Sequence, residues 1–131
     1  LQARRQAEAR GTAREGVHVL ELGGLRQRAP RGGFTLGFGD LRFSSMVGSL
    51  PGLLPWLEVH GHLLVLIKPQ FELGPQALGK GGLVKDEADF PALEARVRLA
   101  CTALGLKVLD YFDSPITGGD GNREFFLHAY R

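Results

Sequence analysis

A lysine stands where the most apolar run of the chain ends. Residues 62–67 form that run, and the segment Lys68-Pro69-Gln70-Phe71-Glu72 follows it directly. Ligands of an open α/β sheet bind outside the carboxyl ends of its strands, so a lysine delivered to that edge by a buried strand is placed for chemistry on a ligand. The alternative is a lysine that forms a salt bridge at the sheet edge and takes no part in chemistry.

Two carboxylates occupy positions that correspond to that of Lys68. Asp40 ends a predicted strand over residues 34–41, and Glu124 begins a predicted last strand over residues 123–130. If the last strand runs antiparallel, its start lies at the same edge as the ends of its neighbours, and all three side chains face one cleft. A lysine between two carboxylates can orient and deprotonate a hydroxyl. Burial favours the neutral amine that a base needs, whereas adjacent carboxylates favour the charged form.

A glycine-rich, cationic loop follows the lysine, with the sequence Gly79-Lys80-Gly81-Gly82. Its backbone amides and the charge of Lys80 could approach a phosphate closely. The spacing is not that of a nucleoside-triphosphate loop, so a flexible turn is the alternative. His60 and His62 could share a strand face, but no third residue has metal-ligand spacing, and we expect no metal site.

The composition is that of a packed sheet protein. The chain has 131 residues, a hydrophobic share of 44% and 19 glycines, which predict one domain or part of one. The single cysteine, Cys101, excludes an internal disulfide and a thiolate zinc cluster. No apolar run approaches the roughly 18 residues of a membrane span, and the first residues lack the apolar centre of a secretion signal. We therefore expect a cytoplasmic protein that does not enter membranes.

The arginines cluster near the start of the chain, although the net charge is only +2. Such a cluster suits a polyanionic partner, and it is equally compatible with a solvated basic face. The clustered arginines are Arg4, Arg5, Arg10, Arg14, Arg26, Arg28 and Arg31.

Hydrophobic periodicity predicts an α/β sheet. Alternation of strands and helices is the signature of a right-handed, wound parallel sheet, and a last strand reached without a helix should run antiparallel. The run 62–67 is expected at the sheet centre, covered on both faces. The clearest helix, 90–104, has Asp89 as its candidate cap, a Glu94–Arg98 pair and Gly105 as its stop. The other predicted elements are helix 1–9, strand 17–22, strand 34–41, a helix over 46–58 kinked by Pro51 and Pro55, and strands 107–112 and 123–130.

Four segments of the chain, read in order, resemble one known family. They are Asp40-Leu41-Arg42-Phe43-Ser44-Ser45, Lys68-Pro69-Gln70-Phe71-Glu72, Gly79-Lys80-Gly81-Gly82-Leu83-Val84-Lys85-Asp86, and Ser114-Pro115-Ile116-Thr117-Gly118 with Gly121-Asn122-Arg123-Glu124-Phe125-Phe126-Leu127-His128. These motifs are similar to those of the haemolysin A (TlyA) family, S-adenosylmethionine-dependent ribosomal RNA 2′-O-methyltransferases related to the FtsJ group. The resemblance is close from Leu36 onward.

The resemblance implies a fold and a site. The fold is an α/β, Rossmann-like methyltransferase sheet, mostly parallel with an antiparallel last strand. The family's catalytic set is lysine, aspartate, lysine and glutamate, of which Asp40, Lys68 and Glu124 match the last three. Lys68 would accept the proton of a ribose hydroxyl, with Asp40 and Glu124 positioning it. Contacts to RNA or to a phosphate would come from Lys80, Gly81, Gly82, Lys85 and Asn122.

The resemblance also implies that some parts of the family's protein fall outside this chain. The first catalytic lysine, the main cofactor loop and the RNA-binding S4 domain should precede Leu1, so residues 1–131 are expected to be the carboxyl-terminal part of one methyltransferase domain without its first strands. Gly32-Gly33 imitates part of the cofactor loop, but no acidic apolar strand precedes it. Cofactor-binding residues are thus unassigned, with Asp40 at most adjacent to the cofactor.

Two functions follow from this. The first is S-adenosylmethionine-dependent 2′-O-ribose methylation of ribosomal RNA, with Asp40, Lys68 and Glu124 as the catalytic residues. The second is a non-catalytic RNA-binding or assembly module on a degenerate methyltransferase scaffold. A membrane-active haemolysin finds no support, because no segment combines a large apolar face with a basic one.

Overall fold

The computed structural model describes residues 33–41 and 45–131. The predicted helix 1–9, the predicted strand 17–22 and the clustered arginines lie outside the described residues, as does the stretch 42–44. The described helices and strands are β1 (Phe34–Gly39), α1 (Met46–Leu53), β2 (Leu57–Ile67), α2 (Pro69–Glu72), α3 (Asp89–Ala103), β3 (Lys107–Asp113) and β4 (Phe125–Tyr130). Three short 3₁₀ turns cover Leu54–Trp56, Pro75–Ala77 and Lys80–Gly82.

The described strands form one mixed sheet in the order β1-β2-β4-β3. β1 pairs with β2 in parallel, and β4 pairs antiparallel with both β2 and β3. β1, β2 and β3 therefore point in one direction and β4 in the other. The predicted α/β sheet with an antiparallel last strand is confirmed. Its consequence for the site is that the ends of β1 and β2 and the start of β4 lie at one edge.

The core lies on one face of the sheet. Leu63, Val65 and Ile67 of β2 point to that face and are at most 6% exposed. α1 covers them with Met46, and α3 packs Phe90 against Phe125 of β4, with ring centroids 5.4 Å apart. Burying one such aliphatic side chain contributes roughly 1.5–3 kcal/mol. The sheet is therefore held mainly by the contacts of its inner face with α1 and α3.

The prediction that the run 62–67 is covered on both faces is wrong for the described residues. Leu64 and Leu66 are only half-buried, and their neighbours on the same face include Phe38 at 72% and Phe112 at 41% exposure. Cross-strand pairing places Phe38 beside Leu64, so these side chains share the outer face. The described helices pack against the other face.

The predicted helix 46–58 ends earlier, and the predicted strand 62–67 begins earlier, than the sequence indicates. α1 ends at Leu53, a 3₁₀ turn follows, and β2 begins at Leu57, five residues ahead of the predicted start. Pro55 has no N–H to continue the helical ladder, which ends the helix before it. Leu57 then pairs with Phe34 and is 4% exposed, so pairing with β1 extends the strand.

The clearest predicted helix is confirmed to within one residue, as α3. Gly105 follows with φ +76°, a left-handed conformation that favours glycine, and Arg98 bonds Glu94 at 3.0 Å. The predicted cap is wrong: Asp89 is already helical, and Asp86 accepts a hydrogen bond from the N–H of Ala88 instead, at 2.9 Å.

Cys101 is fully buried on the inner face of α3. Burial raises the pKa of its thiol in spite of the nearby Arg98. The residue is thus a packed, unreactive thiol. None of the helices formed by the described residues has both the length and the apolar character of a membrane span.

Candidate active site

Lys68 and Asp40 meet at the edge where β1 and β2 end. Gly39, the last residue of β1, pairs with Val65 of β2. Asp40 directly follows β1 and Lys68 directly follows β2, so both residues lie where these two strands end. The Lys68 ammonium lies 2.7 Å from a carboxylate oxygen of Asp40. The Lys68 side chain is 13% exposed and that of Asp40 is 61% exposed. A shielded amine thus pairs with a carboxylate that solvent or a ligand can still reach.

Glu124 lies at the same edge, directly before β4. Ile67 and Phe125 are paired across β2 and β4, so Lys68 and Glu124 flank the last pair of this ladder. Glu124 is 8% exposed. Within the described residues, no ion pair of 4.0 Å or less joins it to Lys68, and its carboxylate accepts one hydrogen bond, from the amide nitrogen of Gln70 at 3.4 Å. The structure thus brings Asp40 and Lys68 into contact and places Glu124 beside them.

Gln70 was not singled out by its sequence position, although it stands in the same motif as Lys68. It is 9% exposed, and its side-chain oxygen is buried without a hydrogen-bond partner in the described structure. Gly118 leaves room for the Glu124 carboxylate, because a Cβ at Gly118 would lie 2.5 Å from its Oε2 atom. A buried glutamine two residues after a candidate catalytic lysine is the signal that could have identified it.

Glu72, the last residue of the same motif, fastens the start of α1. Its carboxylate accepts hydrogen bonds from the Ser45 hydroxyl and the Met46 N–H, each at 2.6 Å, and from the Val47 N–H at 3.3 Å. Acidic groups stabilise the first turn of a helix by satisfying its free N–H groups. Segment 68–72 is therefore tied to the chain that follows Asp40, which fixes the distance between the two halves of the site.

The glycine-rich loop is a closed turn rather than a loose one. Gly81 and Gly82 have φ of +72° and +76°, which side-chain-bearing residues rarely adopt. Leu78 and Val84 form an isolated antiparallel bridge that closes the loop, and Lys80 and Lys85 are exposed. The two amines are free to meet an anion from solvent. Their contact with RNA or a phosphate stays a prediction.

Asn122 is buried and hydrogen-bonded within the protein, and its predicted contact with RNA or a phosphate stays a prediction. It is 4% exposed, and its amide oxygen accepts a hydrogen bond from the Val84 N–H at 3.0 Å. Its amide nitrogen donates to the carbonyl of Gly82 and to Asp120, both at 2.9 Å. With both amide donors occupied inside the protein, Asn122 as placed supports the glycine-rich loop.

Asp120 adds a third acidic group to the surroundings of Lys68. Partial burial acts to raise the pKa of Asp120, but hydrogen bonds from the backbone and side chain of Asn122, and the attraction of Lys68, outweigh it and lower that pKa. Sequence reasoning did not single out Asp120, because its effect depends on a loop conformation that brings positions 68 and 120 together. Hydrogen bonds thus join the glycine-rich loop to the turn that holds Asn122 and Asp120, and Lys68 acts on Asp120 through its charge.

The three described histidines, His60, His62 and His128, supply no metal centre among the described residues. His62 and His128 share a hydrogen bond of 2.9 Å between ring nitrogens on the outer sheet face, away from Lys68. Among residues 33–41 and 45–131, no three side chains of the metal-binding types come together as a ligand set.

Comparison with known proteins identifies the family. A family model described as FtsJ-like methyltransferase matches residues 7–131 of this chain. The chain belongs to the FtsJ-like methyltransferase family. The match includes Asp40, Lys68 and Glu124, and the predicted Rossmann-like methyltransferase fold is confirmed.

Two relatives of this FtsJ-like chain carry names that refer to rRNA. It is 36% identical over 121 residues to YqxC of Bacillus subtilis, named as a candidate rRNA methyltransferase, with 88% of this chain and 43% of that protein covered. It is 37% identical over 108 residues to TlyA of Mycobacterium tuberculosis, named as a 16S/23S rRNA (cytidine-2′-O)-methyltransferase, with 79% and 39% covered. The chain spans less than half the length of these relatives.

Two solved structures share the fold of the FtsJ-like chain. A candidate hemolysin from Lactococcus lactis has a TM-score of 0.72 and 36% identity, with 77% of this chain and 48% of that chain covered. A candidate hemolysin from Streptococcus thermophilus has a TM-score of 0.71 and 31% identity, with 77% and 36% covered. The predicted resemblance to the haemolysin A (TlyA) family is therefore confirmed.

Proposed function

We propose that this chain forms the catalytic edge of a S-adenosylmethionine-dependent methyltransferase that modifies ribose 2′-hydroxyl groups of ribosomal RNA. The observation that carries the proposal is the 2.7 Å contact between Lys68 and Asp40 at the carboxyl ends of parallel strands, with Glu124 on the adjacent strand. Ligands of such sheets bind at that edge. The names of YqxC and TlyA support ribosomal RNA as the substrate, which would be met in the cytoplasm.

Lys68 acts on the hydroxyl proton in this proposal. Its amine would accept the hydroxyl proton as the ribose oxygen takes the methyl group, whose bond to the sulfur of the cofactor breaks. The ammonium formed in this way is stabilised by Asp40, which already lies in contact with it. Glu124, held by Gln70, orients the hydroxyl and its neighbours. Close alignment of the oxygen with the methyl carbon supplies much of the acceleration.

S-adenosylmethionine, when bound, supplies the electrophilic methyl group. Of the described residues, Asp40 fits an edge contact with this cofactor: it is 61% exposed and offers carboxylate oxygens to hydroxyl or ammonium donors while it pairs with Lys68. The main cofactor loop is not assigned to any described residue.

The exposed Lys80 and Lys85 suit the RNA backbone. Lys80 lies on the glycine-rich loop that Asn122 supports, and Lys85 directly follows the bridge that closes this loop. A Cβ at Gly81 or Gly82 would meet nothing within 4 Å, so a phosphate has space beside this backbone. Phosphate contacts of this kind position a nucleic acid without reading its sequence.

The experiment is a nucleoside analysis of ribosomal RNA by mass spectrometry. A strain that lacks the gene is complemented with the wild-type gene, with Lys68→Met, or with Lys107→Met as a matched control at the opposite end of the sheet. The proposal expects one 2′-O-methylated nucleoside to disappear on deletion, to return with wild type and Lys107→Met, and to stay absent with Lys68→Met. Full 2′-O-methylation in the deletion strain would reject the activity. Full recovery with Lys68→Met would favour the non-catalytic RNA-binding module.

A further inference from the structure

Glu124 is a buried carboxylate with very little support from the protein. It is 8% exposed, it has no cation within ion-pair distance in the described structure, and Gln70 is its single described hydrogen-bond donor. A buried carboxylate needs donors, since it has lost those of water. Among the described residues, Gln70 is therefore the one hydrogen-bond donor that can orient this carboxylate.

Gln70 is rigidly fixed relative to Lys68. Gln70 lies in the short helix α2 and Lys68 is the residue directly before this helix. The N–H of Phe71 bonds the carbonyl of Lys68 at 2.9 Å, and the N–H of Leu73 bonds that of Pro69 at 2.8 Å. Pro69 between them is fully buried. One helical turn thus carries both the candidate base and the donor that holds the candidate acid on the neighbouring strand.

The orientation of the Gln70 amide is determined by its partner. If the amide were reversed, its oxygen would face a carboxylate oxygen of Glu124, and two acceptors would repel. With the nitrogen directed to Glu124, the oxygen is left buried without a donor. An unpaired buried acceptor lowers stability, and an apolar side chain would avoid it, so packing gives no reason for an amide here. Stability that is given up beside a reactive group indicates a functional role.

We infer that Gln70 is the positioning residue for Glu124: its amide nitrogen holds the carboxylate at the angle needed for methyl transfer. The inference rests on the proposed function. Gly118 supports the same arrangement, because the absence of a side chain there leaves space for the carboxylate oxygen that Gln70 contacts. A methyl group at Gly118 would lie 2.5 Å from Oε2, the oxygen that accepts from Gln70, and would displace it.

The test compares kinetics of the full-length protein with ribosomal RNA as the substrate. Gln70→Met keeps the length of the side chain and removes the donor. We expect kcat to fall between about tenfold and a hundredfold, as misplacement of a reactive group does, with KM for RNA and for S-adenosylmethionine unchanged within about twofold. The melting temperature should change little, because the lost donor to Glu124 is offset by removal of the unpaired Gln70 oxygen. Gln76→Met, the same change at an exposed glutamine, should leave kcat unchanged.

Two further variants separate positioning from packing. Gly118→Ala should lower kcat in the same way as Gln70→Met, since it displaces the same carboxylate. Adding Gln70→Met to Glu124→Gln should lower kcat no further than Glu124→Gln does by itself, because the glutamine acts through the carboxylate. An unchanged kcat in Gln70→Met, or an equal loss from it in both backgrounds, would overturn the inference. If Lys68→Met abolishes transfer in the same assay while either result is obtained, the proposed function stands and the role of Gln70 falls.

Discussion

At the scale of single residues, the contact of Lys68 with Asp40 is better suited to chemistry than to stability. Exposed ion pairs contribute little to folding, because solvent screens the attraction and two long side chains must be ordered. Asp40 is 61% exposed, which puts this pair near the surface class. The main effect of this pair is therefore expected in catalysis, because it places the negative charge of Asp40 beside Lys68.

The variant Asp40→Asn separates the contribution of this ion pair to stability from its contribution to catalysis. We expect the free energy of unfolding to change by less than about 1 kcal/mol, since the pair is partly exposed. The rate of methyl transfer should fall at least about tenfold, because the ammonium formed on Lys68 loses its counter-ion. Denaturant unfolding and single-turnover kinetics measure the two effects. The control is Asp110→Asn, at an exposed aspartate of β3. A variant that loses stability but keeps the full rate would assign the pair to folding.

The lowered pKa of Asp120 predicts how its contribution to folding stability depends on pH. Its pKa lies below the usual 3.8, since hydrogen bonds from Asn122 and the attraction of Lys68 outweigh burial. A carboxyl group with a lowered pKa stabilises the folded state above its unfolded pKa, and that contribution is lost as the pH falls through the folded value. Wild type should therefore exceed Asp120→Asn in melting temperature at pH 7, and the difference should shrink below about pH 4. A difference that stays constant from pH 7 to pH 3 would contradict this assignment.

At the scale of secondary-structure elements, the packing of β3 onto β4 carries an unpaired group. The ring of Tyr111 stacks on Phe125 with centroids 5.4 Å apart, and its hydroxyl is buried without a partner in the described structure. Burial, together with the nearby carboxylates of Glu94, Glu72 and Asp113, raises the pKa of the Tyr111 hydroxyl despite the opposing Arg98. The ring of Tyr111 stabilises the packing of β3 on β4, whereas its unpaired hydroxyl destabilises the folded state.

Tyr111→Phe should stabilise the protein, because it removes a buried hydroxyl that has no hydrogen bond. We expect a gain of up to about 1 kcal/mol in urea unfolding. Tyr130→Phe is the matched control, since its hydroxyl bonds the His60 ring, and it should lose about 0.5–1.5 kcal/mol. Equal effects of the two changes would mean that the hydroxyl of Tyr111 has a partner.

The elements also show what the sequence could predict. Helix α3 was placed to within one residue, because its apolar spacing, its Glu94–Arg98 pair and Gly105 are all local signals. The start of β2 was missed, since Leu57 becomes a strand residue only by pairing with Phe34, more than twenty positions away. The side chains of Glu72 and Asn122 were assigned no such structural role for the same reason: their partners, Met46 and Val84, are 26 and 38 positions distant.

At the scale of the whole molecule, the candidate catalytic residues lie together where β1 and β2 end and β4 begins. His60 and His62 lie toward the opposite end of β2. Lys68, Asp40 and Glu124 lie at the ends of β1 and β2 and the start of β4, with the Lys80 loop fastened close by through Asn122. Lys107 begins β3 and lies beside Tyr130 at the far end. A polyanion that approaches the first edge therefore meets an exposed lysine loop together with the candidate catalytic residues.

The salt dependence of RNA affinity should distinguish the lysines near the candidate catalytic residues from Lys107 at the opposite end of the sheet. Each lysine that neutralises a phosphate releases a counter-ion, so Lys80→Gln and Lys85→Gln should each reduce the slope of log K against log salt by about 1. Lys107→Gln, at the opposite end, should leave the slope unchanged. Filter binding of ribosomal RNA between low and moderate salt measures the slopes. An equal reduction by all three changes would mean that the glycine-rich loop has no special part in binding.

The most direct test of the catalytic edge is single-turnover methyl transfer by Lys68→Met, measured together with its affinity for RNA and for S-adenosylmethionine. The account predicts a rate at least about a hundredfold below wild type, as expected when a general base is removed. The two affinities should stay within about twofold of wild type, because Lys68 acts on the proton and not on binding. Transfer by Lys68→Met at the wild-type rate, with both affinities intact, would contradict the central claim.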